Sequence, residues 1–147
     1  MNVNLARVFL GGLLAGVVLN IGEVLFNTIL FAKQMDEFFK TINVPPPSGN
    51  FIAVAVIITF ALGILIVWLY ALIRPRCGPG PKTAICAALI VWFCACVYCG
   101  ILYGLLLRMP TNMIVIGIAW CVVEYSLGAI AGAWLYKENA GRSDIAV

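Results

Sequence analysis

Histidine is absent from all 147 residues, and charged residues account for only 10% of them. Without an imidazole there is no histidine ligation of haem and no hydrolysis driven by a histidine base. The few cations are scattered, with no dense basic run to follow a phosphate backbone, so nucleic acid is not expected as a partner. The net charge of +3 is expected instead to set orientation in a membrane and to attract anionic headgroups. What fills the chain is apolar: 64% of residues are hydrophobic and the mean hydropathy is +1.09, far outside the soluble range. This is the composition of an integral membrane protein.

Four apolar stretches, near 8–32, 51–73, 84–107 and 113–136, each reach the roughly 20 residues that cross a bilayer as a helix. The expected fold class is all-α: a polytopic membrane protein whose four transmembrane helices form an antiparallel bundle, as a single membrane domain over 1–147. The first stretch is too long for the apolar part of a signal peptide, carries Glu23 and has no clear small-residue cleavage site, so it is expected to be retained. Arg7, Arg74, Arg76, Lys82, Lys137 and Arg142 fall on one side of these helices, against Lys33, Lys40 and Arg108 on the other. Cations accumulate on the cytoplasmic side, so both termini are expected there.

In "KQMDEFFKTINVPPPSGN", Met35, Phe38, Phe39 and Ile42 recur at i, i+3, i+4 and i+7, which predicts a short outer interfacial helix near 34–43. Pro45, Pro46 and Pro47 then end it. In the next connection, "IRPRCGPGPKTA", alternating prolines and glycines predict a stiff turn, with Arg74, Arg76 and Lys82 meeting lipid headgroups. No glycine-rich strand-to-helix turn of the nucleotide-binding type is present. The run "VWLYALIRPRCGPGPKTA" leading into "VWF", together with the ending "GAWLYKE", resembles an uncharacterised family of small bacterial four-helix integral membrane proteins. That resemblance implies the four-helix fold and a place in the bacterial inner (cytoplasmic) membrane, and it brings no assigned activity. There is also an internal echo, since "LGILIVWLY" and "LGAIAGAWLY" end alike at the same side of the membrane.

Glu23 stands inside the first apolar stretch, which calls for a reason. On a helical wheel Gly12, Gly16, Asn20, Glu23 and Asn27 share one face, and Gly117, Cys121, Glu124, Gly128 and Ala131 share one on the last helix. The pairs Gly12 and Gly16, Gly100 and Gly104, and Gly128 and Gly132 have the GxxxG spacing that lets helices approach closely. At about 1.5 Å per residue, Glu23 lies about 15 Å below Lys33 and Glu124 about 16 Å below Met113. Tyr98 and Thr59 reach similar depth, about 15 and 14 Å from their own helix ends. The expected result is one buried polar layer of Glu23, Glu124, Asn20, Asn27, Tyr98 and Thr59. No cation lies at that depth, so the two carboxyls should hold at least one proton between them.

Two readings of that layer stand. Intramembrane carboxyls without a cationic partner mark proton or cation pathways, and small multidrug transporters offer an analogy of fold alone, with four helices and a first-helix glutamate. Protonated carboxyls bonded to Asn20, Tyr98 or Thr59 would instead hold a bundle or a dimer together. Cys96 and Cys99 form a CxxC, but no outer loop carries a cysteine to exchange with, and the thiols are expected to pack as small hydrophobes. Met109 and Met113 match an MxxxM spacing used in copper handling, although hydrophobic anchoring accounts for them at a loop-to-helix boundary. No catalytic set, metal ligand set or cofactor is implied. The functional expectation is a non-enzymatic inner-membrane protein carrying a small solute or cation in a proton-linked manner; the alternative is a structural or assembly subunit of a membrane complex. Lipid is the expected partner, with a homo-oligomer or larger complex open to either reading.

Overall fold

The computed structural model describes residues 3–136. Among these residues there is no strand, and four helices are long and apolar enough to cross a membrane. They are α1 (Leu5–Leu30), α3 (Gly49–Cys77), α4 (Pro81–Leu106) and α5 (Thr111–Leu135), with a short α2 (Ala32–Thr41) after α1. The protein is an all-α, multi-pass membrane bundle. Lys137 and Arg142, and the end of the "GAWLYKE" run, lie outside the described residues.

Each helix begins and ends for a local reason. The Asn4 side chain caps α1 by accepting from the Arg7 amide at 3.2 Å. Near its other end α1 widens into a π-helical turn over Phe26–Leu30. There Asn27 Nδ2 donates back to the Glu23 carbonyl at 2.9 Å, and Thr28 Oγ1 donates to the Val24 carbonyl at 2.6 Å. Such back-bonds compete for carbonyls that the α-helical ladder would otherwise use. Ser48 caps α3, which runs through Pro75 to Cys77, four residues beyond the apolar stretch. The turn to α4 is therefore tighter than the sequence implies: Pro81 is already the first residue of α4, where a proline has no hydrogen bond to lose. Gly78 and Gly80 take φ of 81° and 135°, which suits glycine, while Thr83 Oγ1 donates to the Gly78 carbonyl at 2.7 Å.

Close packing concentrates at the end of the bundle that carries this turn. Leu19, Ile66 and Val67 are fully buried there, with Ala84, Ala87 and Ala88 of α4 beside them. Gly63 of α3 lies so near α1 that an added Cβ would stand 2.5 Å from the Gly16 nitrogen and 2.6 Å from the Gly12 carbonyl. Gly12 and Gly16 thus serve the α1–α3 contact, against the expectation that they face the same way as Glu23. It is Gly11, Ala15 and Leu19, one position back around the helix, that meet Gly128 and Gly132 of α5. Gly100 and Gly104 of α4 lie against Ile118 and Ile114 of α5. The two echoing segments also meet, since Tyr70 and Tyr136 pack edge to face with ring centroids 5.9 Å apart.

The opposite end is looser. The outer half of α4 rests on α5 and packs at most weakly on α3, unlike the inner half, with a second π-helical segment, Phe93–Tyr98, in its middle. Trp92 fastens the start of that segment by donating from Nε1 to the Ile118 carbonyl at 3.0 Å. α2 lies across this end with Phe38 turned inward onto Phe31 and Met113, and with Met35, Phe39 and Ile42 around them. Its charged face carries the exposed Asp36–Lys40 pair at 2.6 Å. Outward surfaces of all four spans expose large apolar side chains, among them Ile57, Phe93, Leu105, Val115 and Leu127, as lipid contact requires.

Candidate functional site

Where the outer half of α4 no longer packs on α3, a partly open cavity of about 390 Å³ remains, walled by α1, α4 and α5 and reached by α2. Both π-helical segments border it. Such segments are frequent at functional sites because they re-aim side chains without ending the helix. Gly117 leaves room on the α5 side, since nothing lies within 4 Å of where its Cβ would be. Phe26 stacks on Phe31 at 4.8 Å and on Trp120 at 5.6 Å, forming an aromatic wall.

Glu23 stands half-buried on this wall, and its Oε2 accepts from Asn27 Nδ2 at 2.9 Å. Glu124 lies behind it, only 4% exposed. Its Oε2 accepts from Trp120 Nε1 at 2.9 Å, whereas Oε1 is buried with no hydrogen-bond partner among the described residues. The carboxyl lies directly on the α1 backbone: a Cβ on Gly22 would stand 2.7 Å from Glu124 Cδ. Because Gly22 adjoins Glu23, the two acids sit near enough to repel each other when both are ionised.

The expected polar layer is only partly assembled. Glu23, Asn27 and Glu124 come together. Asn20 turns back on its own helix and donates from Nδ2 to the Gly16 carbonyl at 2.8 Å. Tyr98 is 61% exposed and faces away from the cavity, being two positions on from Cys96, about 200° round the helix. Thr59 is half-buried on α3, and α3 supplies no residue to the cavity wall because it packs on α1 through Phe60, Gly63 and Ile64. Arg74, Arg76 and Lys82 are all at the far end, with the Arg74 guanidinium 5.5 Å from the Tyr136 ring centroid.

Side chains outside the expected polar layer stand beside the two acids instead. Cys96 and Cys121 face each other across α4 and α5, and their thiols and the Tyr125 hydroxyl lie within hydrogen-bonding reach. The CxxC is thereby split, for the Cys99 thiol lies 3.5 Å from the Cys94 carbonyl of its own helix. Trp120 had a legible signal, standing one helical turn before Glu124; Gly22 and the Cys96–Cys121 pairing had none. Among the described residues no three His, Cys, Asp or Glu side chains converge as a metal-ligand set.

The fold and cavity define a multi-pass helical membrane protein with an acidic, partly open site near one end. No family model matches the chain, and neither does any curated protein or solved structure.

Proposed function

We propose that this is a non-enzymatic carrier of the bacterial inner membrane, which takes a small solute or cation into the cavity and exchanges it against protons on Glu23 and Glu124. One observation carries the reading: an ionisable side chain, Glu23, lines a partly open cavity in the α2 half of the bundle, backed by the glycine-packed end. That is what one state of an alternating-access device requires, and a buried acid without a cation is otherwise expensive to keep. Cation asymmetry supports an orientation with the α3–α4 turn and both termini in the cytoplasm, so that the cavity faces outward.

The structural alternative draws on Glu124, whose wedged position over Gly22 and bond to Trp120 suit a side chain that ties α5 to α1. Glutamine separates the two. Under the carrier reading, Glu23→Gln and Glu124→Gln fold normally but abolish pH-driven flux of the solute or cation in proteoliposomes. Normal growth and assembly with both glutamines present, together with no flux of any solute or cation in the parent protein, would overturn the reading and leave the assembly subunit.

A further inference from the structure

We propose that the cavity binds a soft monovalent metal ion of the Cu(I) and Ag(I) class, with Cys96 and Cys121 as its thiolate ligands and Met35, Met109 and Met113 as thioethers that pass it inward. The proposal rests on the carrier reading for transport but not for binding.

The sulfur distribution is the first support. Every methionine among the described residues borders this one cavity, although they come from α2, the α4–α5 connection and the first turn of α5. Met35 and Met109 pack on the cluster that contains Met113, so the three thioethers gather at the α2 end of the cavity. Deeper in, Cys96 and Cys121 are the two of six cysteines that reach the cavity, and they reach it as a facing pair.

Ligand chemistry then narrows the ion. Calcium and magnesium require six or more oxygens in a shell, and the cavity offers no such set. Zinc is held by four nitrogen, sulfur or carboxylate ligands, and no three such groups converge among the described residues. Thiolates and thioethers prefer soft ions, and a monovalent d¹⁰ ion is satisfied by a thiolate pair with a thioether nearby. Binding then amounts to each thiol releasing its proton to water and donating a lone pair to the metal, with no electron transferred.

The test uses Ag(I), which needs no reductant, and the purified full chain in detergent. A variant with Cys77, Cys86, Cys94 and Cys99 replaced by alanine retains only the cavity pair. It is expected to bind one Ag(I) per chain, and adding Cys96→Ser or Cys121→Ser should weaken binding at least about tenfold, the low end of what even outer-shell changes cost. Met35→Leu with Met109→Leu and Met113→Leu keeps the apolar packing, and it should slow Ag(I) uptake into proteoliposomes while leaving equilibrium binding. In the unmutated protein, the first equivalent of Ag(I) should shield Cys96 and Cys121 from maleimide, read by mass spectrometry, so the result does not depend on a variant folding. Shielding of other cysteines first, or no saturable binding, would overturn the proposal. In the unmutated protein, Ag(I) binding without proton-linked flux would remove the carrier reading alone, and flux of another cation without Ag(I) binding would remove only the soft-metal site.

Discussion

Gly22 decides how the two acids sit. With a hydrogen in place of a side chain, α1 lets the Glu124 carboxyl lie flat on its backbone; a methyl group there would be 2.6 Å from Glu124 Cγ, and something must move. Gly22→Ala is expected to destabilise the bundle by about 1–3 kcal/mol, the usual cost of overpacking, in thermal unfolding followed by circular dichroism in detergent. The cause can be isolated by adding Glu124→Ala, which removes the obstructed side chain. If the double variant is as unstable as the two single effects summed, Gly22 is not there to make room for the carboxyl. At the surface, by contrast, the Asp36 carboxylate holds the Lys40 ammonium above the usual lysine range, yet both partners are exposed and the pair stabilises α2 little.

Helices were the most legible feature, and their partners the least. Apolar length located the four spans within a few residues, and the i, i+3, i+4 pattern from Met35 to Ile42 located α2, two residues late. A helical wheel tells which residues share a face but not which neighbour that face meets, and for that reason Gly12 and Gly16 were placed beside Glu23 when they pack on α3. On helices that are apolar all round, nothing in the sequence marks the lipid side from the protein side. The π-helical segments were invisible because side-chain back-bonds, not hydropathy, accompany them. Depth, which placed Glu23 and Glu124 near one level, carries no angular information and so brought in Tyr98 and Thr59 wrongly. The α3–α4 turn gives an element-level prediction. Gly80 combines φ of 135° with ψ of 177°, a region essentially reserved for glycine, and Gly80→Ala should cost about 1–3 kcal/mol. Gly49→Ala, at the start of α3 with open space around its Cβ position, should be neutral in the same melt.

Taken together, the bundle is built as two unlike halves. The end with the α3–α4 turn carries Arg7, Arg74, Arg76 and Lys82, and native Cys77 is exposed beside them. A membrane-impermeant maleimide should therefore label Cys77 in inverted vesicles and spare it in intact cells, with Ser48→Cys behaving in the opposite way. Labelling of Cys77 from outside would invert the molecule and turn the cavity inward. One consequence follows from the parting of the outer half of α4 from α3. It lies at the depth of a single leaflet, so acyl chains of that leaflet alone border the opening, and the lipids opposite meet only the closed half. Lateral pressure in one monolayer is then expected to act on the width of the site, so that an asymmetry the membrane itself can change should alter it.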